Sequence, residues 1–339
     1  MRERGPLLRA DQLSAVRLAA VAVALAAGIA SLAAPAPARA QGARVSRIGV
    51  LSPFIGPDSL FFETLRRRLQ ELGYVEGRNI AFVYRAAEDF DQLQTHAREM
   101  VRLNVDVIAT AGPQGVRAAR GATATIPIVM GNVGDALDQG FITSFAKPGG
   151  NVTGLSSLNS ELSAKRLALL KEALPRLTRV AVLREAVGDA TPLRTAESVA
   201  RTLGITLEVF QVRDADELPS AFASMAAARV GAVEVLPSPL FVSQLRRVVE
   251  LAAVSRVPAI YPDDRFVHAG GLMSYGSRIP ELYARAAEYV DRILKGARPG
   301  DLPVEQPTTF TLAVNLRIAR ELGVTLPQGL LIRADHVVR

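Results

Sequence analysis

Cysteine and tryptophan are absent from the 339 residues, and histidine occurs only at His96, His268 and His336. Without cysteine there is no disulfide framework, thiolate metal site, cysteine nucleophile or cysteine to carry a lipid. No two histidines are close enough in sequence for a local motif, so a His-rich metal site has no basis. A Ser-His-Asp triad would have to draw on one of those three. Without Trp, and with aromatics at 5 %, a sugar site built on Trp stacking is excluded. Lysine is scarce too: Lys147, Lys165, Lys171 and Lys295 are the only four among 40 basic residues. The remaining 36 are Arg, scattered rather than gathered on one face with aromatics between them, so no nucleic-acid groove is expected. The tightest run, Arg66-Arg67-Arg68, lies on a predicted helix beside Glu63 and Glu71 and reads as a solvated face. No G-x-S-x-G elbow, H-E-x-x-H helix, EF-hand loop or Walker A motif is found, so no catalytic residue, metal or cofactor is expected.

What is present is ordinary globular material. Charged residues make up 22 % and apolar residues 49 %, which excludes disorder, collagen and coiled coil as overall descriptions. The length suits one large domain or two of usual size. The formal charge of +7 owes part of its excess to residues 1–40, which carry five Arg against Glu3 and Asp11.

That N-terminal stretch reads as an export signal. Four Arg precede an unbroken small and apolar run, Leu18 to Ala34. Pro35-Ala36-Pro37-Ala38-Arg39-Ala40 then supplies an A-x-A site, with cleavage expected after Ala40. The run is slightly short for a membrane span, and no later segment is longer. A protein released outside the cytoplasm, in a periplasm, is expected.

From residue 44 onward, short apolar strands alternate with amphipathic helices, the pattern of parallel α/β layers. The strands are read at 47–51, 80–84, 105–109 and 126–130, then again at 179–183, 205–212, 232–236 and 257–261. The two halves share details: a Leu-Gly helix end precedes the second strand both times, and a Pro opens the fourth (Pro127, Pro258). Two Rossmann-like lobes with parallel sheets, joined by a three-stranded hinge, are expected. Residues 44–156 with about 277–306 form lobe one, and 157–276 with about 307–339 form lobe two. Gly149–Gly154 and Gly270–Gly276 are expected as hinge crossings, with a third at 305–312, and helix Ile279–Leu294 returns to lobe one.

Ligands in open α/β sheets collect at the carboxyl ends of the strands, beside helix N-termini. The candidates there are Ser52, Gly112, Pro113, Gln114, Asn132 and Asp135 in lobe one. Lobe two contributes Arg184, Ser238, Pro239, Tyr261, Asp263 and, in a crossing, Tyr275. Asp135 suits a ligand ammonium, or alternatively a hinge-side cap. Arg184 suits a ligand carboxylate, or alternatively an ion pair with Glu185. Gly112-Pro113-Gln114 offers backbone N–H groups to an anionic group. Tyr261 and Tyr275 stack on a ligand or pack internally, and Asp263 can hold a ligand amine. Leu167, Leu170 and Leu174 mark a packing face on the helix Leu162 to Leu174.

Five phrases then carry a resemblance: LGYVEGRNI (72–80), KPGGNVTGLS (147–156), AGGLMSYG (269–276), ILKGARPGDLPVEQPT (293–308) and NLRIARELGVTLP (315–327). In this order they resemble the substrate-binding proteins of ABC transporters, in the family whose better-known members bind tryptophan or tyrosine. The resemblance spans about residues 44–339. It implies a type 1 periplasmic binding fold, capture of a small solute by lobe closure and delivery to a permease at the inner membrane. The departures cluster at strand ends. The family's Trp in YRWAEG is missing from Tyr84-Arg85-Ala86-Ala87-Glu88, and its VGDP is Val133-Gly134-Asp135-Ala136. Its WNP is Arg184-Glu185-Ala186, and its LPDPLF is Leu236-Pro237-Ser238-Pro239-Leu240-Phe241. The function expected is therefore a monomeric solute receptor for an importer, with an amino-acid-like solute. A ligand sensor for a membrane signalling protein and an exported enzyme on the same frame are the alternatives.

Overall fold

The apolar runs pair as two sheets. The computed structural model describes residues 44–53, 59–87, 89–187 and 190–339, so the expected export signal lies outside the described residues. The first sheet contains β1 (Ser46–Pro53), β2 (Ile80–Ala87), β3 (Val107–Thr110), β4 (Ile128–Gly134) and β5 (Val152–Ser157). Its order is β2-β1-β3-β4-β5, and every pairing is parallel. The second contains β6 (Arg179–Glu185), β7 (Thr206–Val212), β8 (Ala232–Val235), β9 (Ala259–Tyr261), β10 (Met273–Ser277), β11 (Phe310–Asn315) and β12 (His336–Val338). Its order is β12-β11-β10-β9-β8-β6-β7. Here β11 runs antiparallel to β10, so the sheet is mixed rather than wholly parallel. β3 and β8 are buried at every position, as strands covered by helices on both faces must be.

The repeat seen in the sequence is a repeat in space. β6, β7, β8, β9 and β10 occupy the places that β1, β2, β3, β4 and β5 hold in the first sheet. Pro127 and Pro258 each sit one residue ahead of a strand. There a carbonyl can accept from the neighbouring strand while no N–H is needed: the Ile108 N–H donates to Pro127 and the Val233 N–H to Pro258, both at 2.8 Å.

Helix Ile279–Leu294 packs on the first sheet. Ile279, Leu282, Tyr283, Ala286, Tyr289 and Val290 share a core with Ile48, Val50, Phe61, Leu65 and Val107. Helix Asn159–Ala173 packs on the second sheet, its Leu167 and Leu170 in a core with Val180, Ile260 and Met273. The chain passes between the sheets after β5, after β10 and before β11. Two of the expected crossings shift as a result. Gly149–Gly154 forms the approach to β5 and its first half, and Gly270–Gly276 forms a turn and most of β10. The crossings lie just beyond both, at Leu158 and Arg278. Gly276 has a different task, close approach: a Cβ there would stand 1.7 Å from the Pro262 carbonyl oxygen. No helix among the described residues is long and apolar enough to cross a membrane.

Candidate functional site

The carboxyl ends of β3 and β4 face those of β8 and β9 across a cavity of about 90 Å³. Lobe one contributes Gly112, Pro113, Asn132, Ile279 and Tyr283, and lobe two contributes Leu162, Arg166, Pro237, Ser238, Pro239 and Asp263. Ser157 and Ser277, at the crossings, complete the wall. Among the described residues Pro113, Pro237, Pro239 and Pro262 line it, so much of its apolar surface comes from rigid rings.

The most unusual group is Arg166. It sits on helix Asn159–Ala173 among Leu162, Leu169, Leu170 and Ala173, with no exposed surface. Its Nε donates to Glu234 Oε1 at 2.9 Å, and Nη1 donates to the Tyr275 carbonyl at 3.3 Å. Glu234 Oε1 also accepts from the Ser163 hydroxyl at 2.7 Å. Burial pushes the Glu234 carboxyl above its usual range, against the opposing pull of Arg166 and Ser163. A buried ion pair contributes little net stability, because desolvation offsets the Coulomb attraction; its placement in a cavity wall points to a task. Arg166 Nη2 is buried and has no partner among the described residues. Asn132 Oδ1 and Ser277 Oγ are in the same condition. Leaving such a polar atom unsatisfied costs on the order of 1–3 kcal/mol. All three belong to residues that line the cavity.

Asp263 supplies negative charge. It caps the short helix Asp264–His268, accepting from the Arg265 N–H, and its carboxylate takes a two-pronged bond from Arg265, 2.9 Å on each prong. Among the described residues Tyr283 brings an aromatic ring to the cavity, held edge-on by Phe61 at 4.9 Å between centroids. Burial pushes its phenol up to about 12, so it stays protonated as a donor.

The lobes also touch directly. The Gln114 amide on helix Pro113–Ala122 donates to both oxygens of Glu185 at the end of β6, at 3.2 Å. The Ser238 hydroxyl donates to Glu185 Oε2 at 2.6 Å. Gly112, at φ 83°, would place a Cβ 2.9 Å from Pro239 Cγ, so a glycine is required by both conformation and space.

Of the expected site residues, Gly112, Pro113, Asn132, Ser238, Pro239 and Asp263 line the cavity. Gln114 and Arg184 border a smaller space of about 30 Å³ beside Glu185. Ser52 is buried at the end of β1, outside both linings. The other three also lie outside both linings. Asp135 adopts a left-handed φ of 48° and accepts from the Ser160 N–H at 3.2 Å and its hydroxyl at 2.8 Å. It thereby caps the helix that carries Arg166, the alternative noted for it. Tyr261 is fully buried and stacks on Phe266 at 4.9 Å, and Tyr275 stacks on Phe310 at 6.1 Å. Both rings serve packing. Arg166, Ser277 and Tyr283 were missed. For Arg166 the signal was available: a charge on the stripe Leu162, Arg166, Leu169, Ala173, where helical spacing demands apolar residues.

Two α/β lobes closed on a small cavity with a few buried polar groups define a solute-binding protein of the type 1 periplasmic class. The family model for ABC transporter substrate binding proteins matches residues 48–338, and the chain belongs to that family, which binds substrates rather than transforming them. It is similar to a tyrosine-binding protein of Clostridioides difficile, 29 % identical over 255 residues, covering 74 % of this chain and 72 % of that one. Among solved structures, the ABC domain of Streptococcus pneumoniae in complex with L-Trp superposes with a TM-score of 0.80 at 26 % identity. It covers 87 % of this chain and all of its own. A conserved domain protein of Vibrio cholerae gives the same TM-score and coverage at 27 % identity.

Proposed function

We propose that this protein captures a small, amino-acid-like solute between its lobes and delivers it to an ABC permease for import. The observation that carries this reading is the inter-lobe cavity lined by Arg166, Asn132 and Ser277, each of which keeps a buried polar atom (Nη2, Oδ1 and Oγ) without a partner among the described residues. A guest carboxylate answers Arg166, whose planar fork suits that group, and a guest ammonium answers Asn132 Oδ1 and the Asp263 carboxylate. The tyrosine-binding relative and the L-Trp complex support the amino-acid class.

Residues 44–157 with about 279–306, and 159–277 with about 307–339, then move as two bodies about the three crossings. Opening admits the solute, and closure surrounds it and presents one composite face to the permease. The Arg-rich start, apolar run and A-x-A site support export to a periplasm with cleavage after Ala40. A monomer suits this cycle, because each round needs free lobe motion.

Calorimetry on residues 41–339, stripped of bound solute by unfolding and refolding, tests the reading. At least one amino acid should bind, and Arg166→Lys, which keeps a charge opposite Glu234 but loses the fork, should weaken binding by about 10–100-fold. Equal binding by Arg166→Lys would remove Arg166 from the site.

A further inference from the structure

We propose that His268 and His336 share a surface site for a divalent metal ion of the zinc or nickel kind, with Asp264 as its carboxylate ligand. Neither histidine lines the solute cavity, so the site is separate from solute capture.

Folding brings together what the sequence keeps apart. His268 closes helix Asp264–His268, and His336 opens β12 at the edge of the second sheet. Their ring centres lie 6.1 Å apart, with the planes tilted by 55°. Two imidazoles that share one ion, each nitrogen at about 2.0–2.1 Å from it, hold their centres roughly 5–6.5 Å apart. The observed separation falls within that range.

Asp264 stands one helical turn before His268, on the same face. Its Oδ2 is 4.0 Å from His268 Nε2, too far for a hydrogen bond. Two atoms that bind one ion at about 2.0–2.1 Å are themselves roughly 3.3–4.2 Å apart. Arg265, the cation of the same helix, has its guanidinium on Asp263 rather than on Asp264. No cluster of three such ligands is preformed among the described residues. The site is therefore a pair of imidazoles already in place, which Asp264 completes by turning in.

The ligand set selects the ion. Imidazole with carboxylate suits zinc and nickel, whereas calcium and magnesium call for oxygen ligands. Both histidines are exposed and Asp264 is partly so, so the ion arrives from solvent and water completes its shell. Once bound, it braces helix Asp264–His268 against the three-residue strand β12, in addition to the pairing of β12 with β11.

Calorimetric titration of ZnCl2 and of NiCl2 into the protein, purified without a polyhistidine tag, tests this. One ion should bind per chain with a Kd on the order of 1–10 μM. His268→Ala and His336→Ala should each weaken binding at least about tenfold, Asp264→Asn about threefold or more, and His96→Ala not at all. Thermal unfolding gives a second readout: saturating zinc should raise Tm by a few degrees, and in neither histidine variant. Failure of both ions to bind below about 100 μM would overturn the site. So would loss in only one of the two histidine variants, which would show an adventitious single contact. Unchanged binding by Asp264→Asn would remove Asp264 from the ligand set.

Discussion

The side-chain amide of Gln114 donates across the cleft to both carboxylate oxygens of Glu185, at 3.2 Å each. One residue starts a helix of lobe one and the other ends a strand of lobe two, so this contact exists only while the lobes are together. It is a latch beside the cavity, and Ser238 braces its acidic half at 2.6 Å.

Gln114→Ala should therefore weaken the closed form without altering the cavity wall. A hydrogen bond to a charged group contributes about 1.5–3 kcal/mol. Solute release should accelerate by about tenfold or more, with association little changed. Stopped-flow release kinetics check this; an unaltered off-rate would mean the latch carries no closure energy.

Closure should also depend on pH through Glu185. Burial raises its carboxyl above the ordinary range, with Ser238, Gln114, Arg117 and Arg184 pulling it back. A group with a raised pKa in the closed form binds its proton more tightly there than in the hydrated open form. The closed form is thus favoured below the ordinary carboxylate pKa, and that advantage fades as pH rises through the closed-form value. Protonation has a ready acceptor in Gln114 Oε1, buried and without a partner among the described residues. Fluorescence transfer between dyes on the two lobes should report more closure at pH 5 than at pH 8 in the ligand-free protein. Glu185→Gln should flatten the profile. A profile of opposite slope would refute this account of Glu185.

Asp135 separates a cap from a ligand contact. Its carboxylate holds the start of the helix that carries Arg166. Asp135→Ala should cost roughly 1–2 kcal/mol of stability, a fall of a few degrees in Tm for a chain of this size. Solute affinity should change far less than in Arg166→Lys. Unfolding and binding measured on the same preparation decide it; a large affinity loss at unchanged Tm would place Asp135 on the ligand after all.

Glu234→Ala should be the most destabilising of these changes. It strands the Arg166 charge in a fully buried position, and breaking such a pair costs about 3–5 kcal/mol. Denaturant unfolding checks the size of the loss. Glu234→Ala as stable as the unaltered protein would show that Arg166 relaxes toward water, contrary to its buried placement.

The architecture was legible because it is written locally. Parallel strands buried on both faces appear as short apolar runs, and helix ends carry their own stops: the expected helix Ile279–Leu294 has those bounds in the structure. Strand-end logic reached Gly112, Asn132, Ser238 and Asp263, since an open α/β sheet dictates where its ends lie. It could not see commitments made over distance. Asp135 caps a helix that begins 24 residues later in the chain, at Asn159. Tyr275 stacks on Phe310, in a strand that pairs antiparallel with its own. Arg166 lies in mid-helix, and only the partnership with Glu234 from β8 makes its burial possible.

Native mass spectrometry on residues 41–339, purified gently and weighed before and after mild unfolding, tests the central claim most directly. A discrete excess mass in the range of the amino acids, released on unfolding and absent from Arg166→Lys, is the predicted result. An excess mass that Arg166→Lys retains unchanged, or one belonging to a solute without a carboxylate, would contradict it.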